Sequence, residues 1–308
     1  MSLPTKPLLA AALALPLAFA ALPAMANSGT ATELRTGFAI DAEDDAYRPR
    51  FAQWYETILP GRALNIELPP GHVLTIDGQR WTPDWRAPAE AQTLTAQITE
   101  NGRTVADINV FVLEPRSNID SKGWLNGYRI GTYPRNPPKG FIKLEGPEDR
   151  EHALSPHFKL GQFLCKQQPG HWPKYVLVSQ NNILRLEALL EELNADGTIE
   201  AETFFVMSGF RTPFYNTAIG SAKFSRHMYG DAADIYVDVK PRNGTMDDLN
   251  GDGKVNKADA NFLYDYAQDL FKSRSDLPKG GIGAYRANAV RGPFVHVDGR
   301  GSTARWGR

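Results

Sequence analysis

From residue 63 to residue 113 apolar and polar positions alternate with a period of two. Leu64, Ile66 and Leu68 stand between polar neighbours, Pro69-Pro-Gly71 forms a turn, and Val73-Leu-Thr-Ile76 resumes the strand pattern. The runs 93–99 and 105–113 follow, joined through Glu100-Asn-Gly-Arg103. Asn-Gly suits a tight hairpin because both central residues of that turn need positive φ. These strands predict a small all-β sandwich domain over 60–115. Upstream, 27–59 opens polar and becomes apolar and aromatic from Phe51 to Leu59, which predicts a linker and a short helix beginning near Pro49.

Residues 116–154 are rich in Pro, Gly and charge, yet Trp124, Tyr128, Ile130, Tyr133 and Phe141 need burial, so this stretch reads as an ordered connector. The period then changes to that of a helix. Ile183, Leu186, Leu190 and Leu193 fall on one face of 181–193, with Glu187, Glu191 and Glu192 outside and Gly197 just past the end. An apolar strand over 203–207 comes next. A helix followed by strands, with no βαβ rhythm, predicts an α+β domain over 155–308 built on an antiparallel sheet with flanking helices.

The chain has 308 residues and a formal net charge of -1. Length allows two domains, and mixed charge argues against a nucleic-acid surface. Lys6, the apolar run 8–22 and Ala24-Met-Ala26 compose a signal peptide over 1–26, which predicts removal and a periplasmic or secreted protein. No later segment has the length and apolarity of a membrane span. Cys165 is the single cysteine, so no internal disulfide can form. Its apolar setting predicts a small core residue rather than a catalytic thiol. A monomer is expected.

The candidate chemistry lies in three places. Ser208-Gly-Phe-Arg-Thr-Pro213 presents Arg211 on a turn. Ser225-Arg-His-Met-Tyr-Gly-Asp-Ala-Ala-Asp234 presents His227 and Asp234, and Gly292-Pro-Phe-Val-His-Val-Asp298 presents His296 on an apolar strand. Neutral imidazole and carboxylate are good ligands for zinc, and a catalytic zinc takes three protein ligands and leaves one position open.

Ser225-x-His227-x-x-Gly230-x-Ala-x-Asp234, preceded by Ser-Gly-Phe-Arg-Thr-Pro and followed by a His on a strand, resembles the zinc D-Ala-D-Ala metallopeptidases that trim peptidoglycan stem peptides. The resemblance covers about 155–308. It implies that His227, Asp234 and His296 bind zinc, and that Arg211 contacts substrate or the developing oxyanion. One position departs from the pattern. Many members carry a Glu three residues before the last zinc His, and here that residue is Pro293.

A second metal motif spans 248–259. Asp248, Asn250 and Asp252 occupy the first, third and fifth positions of a calcium loop, Gly253 the sixth, Lys254 the seventh through its carbonyl, Asn256 the ninth and Asp259 the twelfth. Asp in place of the usual closing Glu resembles the loops of dockerin modules. A helix over 258–271 is predicted to follow. One loop of this kind, where dockerins usually carry two, predicts a structural calcium ion rather than a docking device.

These readings predict an exported zinc peptidase, of carboxypeptidase or endopeptidase type, whose partner is the peptidoglycan stem peptide. Asp298 is the nominee for general base because it shares a strand face with His296, with Asp231 and His157 as alternatives. Arg300 and Trp306 are candidates to line the cleft. The alternative function is a cell-wall peptide-binding protein on the same fold that lacks a competent base.

Overall fold

The computed structural model describes residues 39–42, 45–47, 51–68 and 70–308. The expected signal peptide over 1–26 lies outside them. No helix among the described residues is long and apolar enough to cross a membrane.

The alternating stretch folds into one five-stranded sheet, in the order Gln53–Ile58, Arg103–Val112, Gln92–Glu100, His72–Ile76, Gln79–Arg80. The turn Asn101-Gly102 closes its central hairpin with both residues at positive φ, as the dipeptide required. Leu74, Ile76, Leu94, Ala96, Ile98, Ile108 and Val110 point to one buried face, joined there by Leu64 and Ile66. A three-stranded sheet of Asp45–Tyr47, Ala39–Ala42 and Asn65–Glu67 accompanies it. The stretch 60–115 thus carries most of one large sheet and one strand of a small one.

The short helix expected near 49–59 is instead the strand Gln53–Ile58, paired in parallel with Arg103–Val112. A short apolar run does not separate a buried strand from a buried helix by periodicity. Here both faces are covered. Trp54 and Tyr55 enter the core of the C-terminal half, while Ile58 enters the core of the sheet just described. Tyr55 also donates its hydroxyl to the Val178 carbonyl at 3.0 Å, and its own carbonyl accepts from Gln180. The connector's Tyr128, Ile130 and Phe141 are buried in the same core.

The second half is mixed α and β. Its five-stranded sheet runs Phe205–Ser208, Ala232–Tyr236, Phe294–Asp298, Gly281–Tyr285, Ala304–Trp306, antiparallel except for the last pair. Helices α1 (Gln180–Ala195) and α3 (Lys257–Ser273) pack against it. The short α2 (Pro213–Ala218) follows the Arg211 turn, capped by the Thr212 hydroxyl. On α1, Ile183, Leu186, Leu190 and Leu193 are buried as their spacing predicts. Glu187 departs from that pattern. It is also fully buried, because its carboxylate accepts the backbone N–H of His157 at 3.0 Å and meets that ring's Nδ1 at 2.7 Å.

Candidate metal centre

Strand register brings two of the candidate ligands together. Asp234 and His296 are direct partners across the antiparallel pair, so their side chains leave the same face of the sheet side by side. The same row continues to Ser208 on one flank, and to Gly283 and then Trp306 on the other. His227 arrives from outside the sheet, on the 3-10 turn Arg226–Tyr229. Gly230 ends that turn at φ 70°, where any side chain would also strike the Leu177 backbone. Only glycine permits both the left-handed conformation and the close approach.

Three atoms converge. His227 Nε2 lies 3.2 Å from Asp234 Oδ1 and 3.3 Å from His296 Nδ1, and the last two atoms are 2.9 Å apart. Ligands about 2.0–2.1 Å from a tetrahedral zinc stand roughly 3.3 Å from each other, so the triangle has a suitable size for that ion. Each ligand is oriented from behind. His227 Nδ1 faces the Gly209 carbonyl at 2.7 Å, which fixes the proton there and leaves Nε2 a lone pair for the centre. His296 Nε2 meets Asp298 Oδ2 at 3.1 Å. The second oxygen of Asp234 accepts from Arg211 Nη2 at 2.6 Å, while Arg211 Nε donates to Ser208 Oγ.

The electrostatics suit a cation. Burial lowers the His227 pKa, favouring the neutral ring. Burial opposes ionisation of Asp234, but the His227 and His296 rings outweigh it and hold the carboxyl well below its usual range. His296 is likewise buried, yet the Asp234 and Asp298 carboxylates raise its pKa. A positive charge is thus favoured between the ligands.

The nominated base sits elsewhere than its proposed work requires. Asp298 is fully buried, and its carboxylate accepts from Gly281 N at 2.9 Å, Arg300 Nε at 2.8 Å and Arg300 Nη2 at 2.5 Å besides meeting His296. Burial opposes its ionisation, but the His296 and Arg300 contacts outweigh it and hold the pKa far below the usual carboxylate range. Such a group is a weak proton acceptor. Sharing a strand face with His296 brought it behind the ring rather than into the opening. Asp231 is paired with Arg226, and His157 is bound to Glu187 in a group separate from the triangle. Arg211 serves Asp234 rather than standing free toward substrate.

Trp306 lies beside the centre, its ring 5.2 Å from that of His296, with the Arg300 guanidinium also over the indole. The indole occupies the space that a Gly283 side chain would fill. The alternate glycines of Gly281-Ile-Gly283 were the sequence signal for this close packing, since Gly inside a strand marks a site of near approach. Cys165 is buried, and burial pushes its thiol pKa up, which suits the core role expected for it.

In the loop 248–259 the carboxylates accept hydrogen bonds from the loop's own backbone. Asp248 accepts from the backbone of Gly251 at 2.9 Å and Gly253 at 2.7 Å. Asp259 is fully buried at the third residue of α3, where its oxygens accept the N–H groups of Leu249 at 2.9 Å and Asn256 at 2.7 Å. The group His227, Asp234 and His296 could hold a metal ion, whereas nothing in the structure supports the calcium ion expected in the loop. Capping accounts for the contacts of Asp259, because a short Asp at the first turn of a helix reaches its own loop backbone. The predicted exit helix is present as α3.

A sheet carrying a buried His-Asp-His triangle beside an Arg turn is a group that can hold a metal ion. Residues 157–249 match the family model described as Peptidase M15, a zinc D-Ala-D-Ala carboxypeptidase-type family. The match contains Arg211, His227 and Asp234 and ends before His296. No curated protein matches the chain.

Proposed function

We propose that the protein is an exported zinc peptidase that hydrolyses peptidoglycan stem peptides of the D-Ala-D-Ala type. The observation that carries this reading is the triangle of His227 Nε2, Asp234 Oδ1 and His296 Nδ1, of a size that zinc fits. Zinc held there would polarise the scissile carbonyl and lower the pKa of a water, to about 7 in well-known zinc hydrolases.

The chain's own residues prepare the site. The Gly209 carbonyl and the Asp298 carboxylate set the planes of the two rings, and Arg211 fixes Asp234. Asp298 is a positioning residue, not the base. Trp306 walls one side of His296, limits water there and offers an apolar surface to a peptide.

Metal analysis of the purified protein tests the reading together with hydrolysis of a peptide ending in D-Ala-D-Ala. About one zinc per chain and release of D-Ala are expected, both lost in His227→Ala. A second reading, a wall-peptide binder without turnover, is favoured by Pro293 and by the engagement of Asp298. Full zinc occupancy and peptide binding with no hydrolysis would select it.

A further inference from the structure

A cavity of about 690 Å³ runs beside the strand Phe205–Ser208. That strand is the edge of the C-terminal sheet and pairs only with Ala232–Tyr236. Among the described residues no further backbone hydrogen bond joins 205–208 to another segment. An edge of this kind is a template on which an extended peptide can add as one more strand.

Charge says what kind of peptide. Arg150, Lys166, Lys174 and Arg242 line the cavity against one carboxylate, Asp238, which is already committed to the backbone N–H groups of Asn243 and Gly244. No ion pair among the described residues engages any of the four cations. Lys174 is 2% exposed, and its Nζ donates to the Gln168 carbonyl at 2.6 Å and lies 5.4 Å from the centre of the Trp172 ring. An ammonium buried without a counter-ion is costly, and an arriving carboxylate would supply the missing charge.

We propose that this cavity binds an extended peptide segment bearing a carboxylate side chain, aligned on Phe205–Ser208 and held by Arg150, Lys174 and Arg242. The inference rests on the peptidase reading and names the chemistry that the site takes from its substrate, an extended segment with a carboxylate side chain. The cavity shares a wall with the metal centre. Ser208 accepts from Arg211 there, and the Gly209 carbonyl orients His227.

The test uses the zinc-loaded full chain and two fluorescein-labelled all-L peptide amides, Ala-Glu-Ala-Ala and Ala-Gln-Ala-Ala, which offer no D-Ala-D-Ala bond. Anisotropy should show the acidic peptide binding at least about tenfold tighter, with a preference that shrinks as salt rises. Arg242→Ala and Lys174→Met should each remove most of that preference and leave the glutamine peptide unchanged. Arg242 and Arg150 are exposed, so Arg242→Ala and Arg150→Ala keep the test decisive if Lys174→Met fails to fold. Equal affinity for the two peptides, or wild-type preference in both arginine variants, overturns the proposal. D-Ala release is scored separately. Its absence with the acidic preference intact defeats the peptidase reading and leaves the site standing, and its presence without the preference does the reverse.

Discussion

The His296 ring is held between two carboxylates, with Nδ1 at 2.9 Å from Asp234 Oδ1 and Nε2 at 3.1 Å from Asp298 Oδ2. Asp298 is in turn fixed by Arg300 and the Gly281 N–H. A carboxylate behind a ligating imidazole fixes the ring and raises its basicity, and its loss typically costs about 10–100-fold in metal affinity. Asp298→Asn should therefore weaken zinc binding by about that factor, measured by competition with a chelator. Saturating zinc should restore much of the turnover. A loss of turnover that persists at full zinc occupancy, with affinity unchanged, would return Asp298 to the role of base.

Arg211 gives a second prediction. Its planar fork reaches Asp234 Oδ2 and Ser208 Oγ together, 2.6 Å and 2.8 Å away. A lysine carries the charge but not the fork. Arg211→Lys should lower zinc affinity roughly tenfold, the lower end of effects on groups that orient ligands, with a parallel drop in D-Ala release at limiting zinc. If KM rises while zinc affinity holds, the guanidinium is contacting substrate instead.

Much of this centre was legible in the sequence, and the reason is spacing. His227 and Asp234 lie seven residues apart around Gly230, whose positive φ is a requirement that a sequence displays openly. His296 stood out on an apolar strand, and the register that puts it opposite Asp234 follows from the antiparallel sheet. What periodicity could not supply was which side of a side chain faces what. Asp298 shares a face with His296, as expected, but only the packing of Arg300 and Gly281 shows it turned inward. Glu187 was placed outside by its helical position and is drawn in by His157, thirty residues earlier. The Gln53–Ile58 strand escaped for a related reason, since its pairing partner lies about fifty residues away.

The 248–259 loop separates two roles for one residue. As folded, Asp259 closes the capping box of α3 from its third residue and ties down Leu249 and Asn256. Loss of such a cap costs about 0.5–2 kcal/mol. Asp259→Ala should lower the melting temperature by a similar amount in EDTA and in calcium. An additional loss seen only with calcium would restore Asp259 as the closing ligand of a calcium loop.

Glu56, on the strand Gln53–Ile58, is 3% exposed, and burial pushes its pKa up to about 8 against a weaker opposing hydrogen bond from Gln180. In the unfolded chain a Glu titrates near about 4.3. Below that pH both states hold the proton, and the residue contributes no pH dependence. Between roughly 4.3 and 8 the unfolded chain releases the proton while the folded chain keeps it, so stability falls as pH rises. Above about 8 both states are ionised and the loss levels off, at a size on the order of 5 kcal/mol. Glu56→Gln preserves the shape and the neutral state of this side chain. Its urea midpoint should match the wild type near pH 4 and exceed it increasingly toward pH 8. Parallel curves for the two proteins across that range would show that Glu56 is ionised in the fold.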